Sequence, residues 1–85
     1  MKTGELHARV YITPKKGVLN PQGKAIEHSL HSLGFEEVGD VSLGKYVELA
    51  LDETDRERAE TRLEEMCRKL LANGVIEDFR FEFAD

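Results

Sequence analysis

Eighty-five residues with a formal net charge of −5, 34% charged and 40% hydrophobic, describe one globular domain spanning 1–85 and leave no room for a second. Acidic and basic residues are interleaved, which argues against a nucleic-acid ligand, since a phosphate backbone calls for a concentrated basic stripe. No apolar run approaches membrane-spanning length and Met1–Glu5 carries no apolar signal region, so no membrane partner is expected, and the single Cys67 excludes an internal disulfide and points to the reducing cytoplasm.

Leu6, Ala8, Val10 and Ile12 alternate with His7, Arg9, Tyr11 and Thr13, the period-two pattern of a strand with one face on a core. Pro14 ends that strand because it cannot donate a ladder hydrogen bond, and Lys15-Lys16-Gly17 reads as a turn. Asn20-Pro21 opens a helix over residues 21–33, with Asn as N-cap and Pro at the first helical position. Ile26, Leu30 and Leu33 lie at i, i+4 and i+7, which predicts one buried face, and Gly34 is placed as the left-handed C-terminal residue.

Val41, Leu43, Val47, Leu49 and Leu51 share one parity through Gly44. Residues 38–52 therefore predict either one long strand kinked at the glycine or a hairpin near Gly44-Lys45. Thr54 or Asp55 caps a second helix whose Ala59, Leu63, Met66, Cys67, Leu70 and Leu71 form one apolar stripe. Asn73-Gly74 stops it. A last strand from Val75 to Phe83 sets Phe79, Phe81 and Phe83 on one side and Asp78, Arg80 and Glu82 on the other.

This order predicts an α+β fold, a small antiparallel sheet with both helices packed on one face, related to ferredoxin-like sandwiches. Two helices on one face leave the other uncovered. That outer face carries Tyr11, Thr13, Tyr46 and Ala50 beside His7, Arg9 and Glu48, which marks those first four residues as candidates for self-association.

No phosphate loop, dinucleotide fingerprint, serine elbow or paired-cysteine metal pattern is present, so no catalytic, cofactor-binding or metal-binding residue is assigned. Cys67 on the apolar stripe reads as a buried thiol rather than a nucleophile. His28, His31 and Glu27 share one side of the first helix and could meet a metal, though a solvated face accounts for them as well. Lys15, Lys16, Gly17, Gly23 and Lys24 surround the start of that helix, where free N–H groups attract anions. A basic turn beside an ordinary capped helix fits the same residues.

The run Val10-Tyr11-Ile12-Thr13-Pro14-Lys15-Lys16-Gly17-Val18-Leu19-Asn20-Pro21-Gln22-Gly23-Lys24-Ala25 resembles the opening of the PurS family, a strand followed by K-x-G-V-L-D-P-Q-G-x-A. The resemblance continues through His31–Phe35, Val38, Val41, Gly44-Lys45, Cys67, Lys69–Asn73 and Val75–Phe79. Asn20 stands where the family often has Asp, and Gly74 where Pro is frequent. Each replacement keeps the local function, capping in the first case and helix termination in the second.

The resemblance implies a non-catalytic subunit of the phosphoribosylformylglycinamidine synthase complex, which uses ATP and glutamine in purine biosynthesis. Such a subunit bridges a glutaminase subunit and a large synthetase subunit, assists ammonia transfer between them, and forms a homodimer or homotetramer. ATP and glutamine would be used by the partners, and this chain would hold no cofactor. The family-specific segment makes Lys15, Lys16, Gly17, Gln22 and Gly23 the candidates for partner docking. A small-molecule-binding regulatory module of ferredoxin-like type is the alternative reading, and the missing catalytic motifs weigh against a stand-alone enzyme.

Overall fold

The structure, a computed structural model, describes residues 5–84. Its elements are β1 (Glu5–Pro14), α1 (Pro21–Ser32), β2 (Lys45–Asp52), α2 (Arg56–Met66), a π-helical turn at Cys67–Leu71, and β3 (Glu77–Ala84). The three strands form one antiparallel sheet in the order β2-β1-β3. Register pairs Val10 with Val47 on one side and with Phe81 on the other, so the alternating apolar residues of all three strands share a face.

That face meets α2. Ala8, Val10, Ile12, Leu63, Cys67 and Ala72 are buried together, with Val47, Leu49, Met66, Leu71 and the three phenylalanines packed around them. Asp55 caps α2 by accepting from the Glu57 N–H at 3.0 Å, and Glu57 in the first turn suits the helix dipole. Arg56 and Arg68 lie over the Phe83 and Phe79 rings, so α2 runs alongside β3. At its end the Ala72 N–H reaches the Cys67 carbonyl at 2.9 Å, an i→i+5 step. That wider turn leaves Leu71 half-buried and Leu70 83% exposed, so Leu70 does not join the stripe its spacing predicts.

The α+β class and the antiparallel sheet are as expected; the position of α1 is not. Both ends of this helix follow the sequence. The Asn20 side chain accepts from the Gly23 N–H at 2.7 Å. Gly34 sits at φ +102° while the Phe35 N–H bonds back to the Leu30 carbonyl at 2.9 Å, a Schellman closure. Its body makes no extensive contact with any strand, however. Gly23 is the one buried residue of α1, while Leu33 is 72% exposed. The predicted second helix on the sheet face is therefore a projecting arm. The molecule extends 50 × 28 × 15 Å with a radius of gyration of 16.7 Å, against about 12 Å for a compact chain of this length.

Neither reading of residues 38–52 holds. The strand begins only at Lys45, and residues 35–44 form neither strand nor hairpin. They run back along α1: the Val38 carbonyl meets His31 Nε2 at 2.8 Å and the Leu43 carbonyl accepts from Asn20 Nδ2 at 3.2 Å. A Cβ on Gly23 would lie 2.1 Å from the Val41 carbonyl oxygen, so glycine is required where segment and helix cross. Gly44 also lies close against β1, with the Ile12 carbonyl oxygen 2.5 Å from a Cβ position.

Candidate functional site: three surfaces

The turn after β1 is built by backbone bonds. The Lys15 N–H donates to the Ile76 carbonyl at 2.9 Å and the Val18 N–H to the Lys15 carbonyl at 3.2 Å, with Gly17 at φ +86°. Beside it a cleft of about 600 Å³ is lined by Lys16, Val18, Asn20, Lys24 and Asp40 among others. The five docking candidates do not present themselves equally. Lys16, Gly17 and Gln22 are exposed; Lys15 is half-buried and its Nζ lies 2.6 Å from Asp78 Oδ1 on β3. Gly23 is buried against Val41 and offers no side chain to a partner.

The outer sheet face brings Tyr11 and Tyr46 together, as register partners with ring centroids 5.3 Å apart. Their hydroxyls are already engaged. Tyr11 donates to Glu82 at 2.9 Å and Tyr46 to Glu48 at 2.7 Å, while Arg9 reaches Glu82 at 3.4 Å. Arg80 lies 4.0 Å over the Tyr11 ring, a cation–π contact. The Tyr11 hydroxyl and then Arg9 hold the Glu82 carboxyl below the usual carboxylate range, and accepting carboxylates push both tyrosines above theirs. Thr13 and Ala50 are exposed on the same face, opposite Asp78 and His7 respectively. This face is a solvated polar network with two rings in it, and it is not an apolar patch.

The third surface includes Ile26 and Leu33, two residues of the α1 face expected to be buried. Ile26 and Leu33 on α1, Leu19 before it and Phe35 after it are 37%, 72%, 78% and 49% exposed. The signal was present in the sequence as an amphipathic stripe; what was misread was its destination.

The groups with chemical potential are quiet. Cys67 is buried, and burial pushes its thiol up, away from a nucleophilic thiolate. His31 is engaged by the Val38 carbonyl, and among the described residues no three metal-ligating side chains converge. No described helix is long and apolar enough to cross a membrane.

Comparison with known proteins adds an independent line. The profile of the family described as "PurS: Phosphoribosylformylglycinamidine (FGAM) synthase" matches residues 7–85. The chain is 51% identical over 74 residues to phosphoribosylformylglycinamidine synthase subunit PurS of Bacillus subtilis, covering 87% of each protein. It is 43% identical over 75 residues to the corresponding subunit of Methanocaldococcus jannaschii, covering 88% of this chain and 90% of that one. Its backbone is similar to that of Bacillus subtilis PurS in the C2 crystal form, with a TM-score of 0.84, 48% identity, and coverage of 94% and 99%.

Proposed function

This chain belongs to the PurS family of phosphoribosylformylglycinamidine synthase, and we propose that it is the small subunit of that synthase in purine biosynthesis, acting as a non-catalytic bridge. In this reading it joins a glutaminase subunit to a large synthetase subunit and assists the passage of ammonia between them. ATP and glutamine are handled by those partners. The chain works as a homodimer or homotetramer.

The observation that supports this reading best is the α1 arm. A 12-residue helix leaves Ile26 and Leu33 of its apolar stripe exposed while its two ends are well capped. Water disfavours such exposure, so a capped arm of this kind fits a protein completed by other chains. A bridge contributes geometry. Ammonia released beside its acceptor and away from water avoids dilution and protonation, which is a proximity effect needing no acid, base or nucleophile on the bridging chain.

Reconstitution tests the proposal. The purified chain alone is expected to turn over neither glutamine nor ATP, and glutamine-dependent synthesis by the two larger subunits is expected to require it. Lys16→Glu, an exposed change in the docking turn, should weaken binding to the synthetase subunit while leaving melting and self-association unchanged. Glutamine-dependent synthesis at the full rate without this chain would remove the bridging role. Wild-type assembly of Lys16→Glu would remove only the docking turn.

A further inference from the structure

The cleft of about 600 Å³ beside the Lys15–Gly17 turn is within the size range of small-molecule sites. Its walls are the turn itself, the first turns of α1 and residues 40–42, and they are tied to one another. The Lys15 N–H fastens the turn to the Ile76 carbonyl. Asn20 clamps the helix start to the neighbouring segment, accepting from the Gly23 N–H and donating to the Leu43 carbonyl. Gly23 meets the Val41 carbonyl oxygen at the base of that junction. A cleft with walls fixed in this way is shaped before a ligand arrives, so binding carries little ordering cost.

Lys16 and Lys24 bring ammonium groups to the cleft, Glu27 and Asp40 bring carboxylates, and the Ser42 hydroxyl stands beside them. Lys15 also lines it, but its ammonium is taken by Asp78 at 2.6 Å. The side chains of Lys16 and Asp40 are exposed and have no ion-pair partner among the described residues. Glu27 is held from one side only. Lys24 Nζ lies 3.8 Å from its Oε1, too far for a hydrogen bond. Among the described residues that oxygen is the one buried side-chain polar atom with no hydrogen-bond partner. An acceptor withdrawn from water without a donor is destabilising, and an N–H entering the cleft beside Glu27 relieves it.

The start of α1 adds little of its own for an anion. Pro21 has no N–H, the Gly23 N–H is taken by the Asn20 side chain and the Lys24 N–H by the Asn20 carbonyl at 3.0 Å. Side-chain charge therefore decides what fits. A simple anion meets the two lysines but is opposed by Glu27 and Asp40, and a simple cation meets the reverse. A zwitterion satisfies both pairs. We propose that this cleft binds a small polar α-amino acid, with its carboxylate on Lys16 and Lys24 and its ammonium on Glu27 and Asp40. Ser42 is then placed to hydrogen-bond a polar side chain. The site lies within one chain and needs neither a partner subunit nor a second copy.

Titration of the wild-type chain, followed by calorimetry and by amide proton–nitrogen correlation spectra, tests the site. Glycine, L-serine, L-asparagine and L-glutamine are the zwitterionic probes, and acetate and methylamine are the two halves. At least one amino acid is expected to bind with a Kd of about 1 mM or tighter, and each half at least about tenfold more weakly. Amide shifts should gather at residues 15–17, 24–27 and 40–42. Glu27→Gln should weaken the amino acid about tenfold, because the ammonium loses a charged acceptor. Lys16→Gln should weaken it through the carboxylate. Far-UV circular dichroism checks folding, and Asp40→Asn, at an exposed position, serves in the same design should Glu27→Gln unfold.

Amino-acid binding that beats both halves, shifts these amides and falls in the charge variants supports the site. No response to any of the four amino acids up to about 10 mM would overturn it. So would acetate binding as tightly as the amino acids, which describes a plain anion site, or an affinity that the charge variants leave unchanged, which places binding elsewhere. Each of these results leaves the bridging role to be decided by reconstitution.

Discussion

The two helices of this chain carry similar patterns and meet opposite fates. In α2, Ala59 and Leu63 are fully buried, with Cys67 just beyond them; in α1, Leu33 is 72% exposed. Their connections explain the difference. Residues 53–55 alone join β2 to α2, and a link that short folds the helix straight back onto the sheet. Small residues at Ala59 and Cys67 then let it approach closely. α1 is released by residues 15–20 on one side and residues 33–44 on the other, and the second segment binds the helix through His31, Gly23 and Asn20. An amphipathic period states that a face needs cover; it does not state whose atoms supply it.

The sharpest way to break this contrast is to truncate the same residue type in both helices. Leu63→Ala should cost about 2–5 kcal/mol in urea unfolding, since it empties a fully buried site. That loss should change little with protein concentration. Leu33→Ala should leave helix content intact and act through concentration, lowering the melting temperature most where dilution favours dissociation. Equal, concentration-independent losses for the two would mean that α1 is part of the chain's own core.

A second test concerns what holds the arm in place. Gly23→Ala puts a methyl group into the Val41 carbonyl, and backbone must move to admit it. A loss of about 1–3 kcal/mol is expected, measured by chemical denaturation. The loss should be accompanied by faster amide exchange in residues 38–43 and by unchanged exchange in β1. A neutral substitution would show that the crossing of arm and segment is loose.

The smallest effect belongs to the outer sheet face. Glu82 has its folded pKa lowered, so its contribution is present above the unfolded value and fades as pH falls through the folded one. Wild-type stability should therefore decline relative to Glu82→Gln across the acidic range below the usual carboxylate value. Because these side chains are exposed, the difference should be small and should shrink in salt. Parallel profiles for the two proteins would show that the network does not help to hold the face together.

Much of the sheet was legible because strand parity is a local property. Leu6, Ala8, Val10 and Ile12 point inward as read, and so do Phe79, Phe81 and Phe83. Asn20, Pro21 and Gly34 placed both ends of α1 through capping chemistry that needs no tertiary information. Residues 35–44 failed because Val41 and Leu43 share strand parity by coincidence, while their carbonyls serve α1 instead of a ladder. Leu70 failed because a single i→i+5 step breaks the 3.6 period within one turn. Tyr11 and Tyr46 were both placed on the outer face by strand parity, but their pairing and their hydroxyl partners Glu82 and Glu48, which make that face more polar, needed the register.

The central claim is that the exposed arm reflects a chain built to be completed by another copy of itself. Sedimentation equilibrium of the wild-type protein across the micromolar range tests it most directly. The account predicts a mass of two or four times the 9.6 kDa chain. A mass of one chain throughout that range would contradict it.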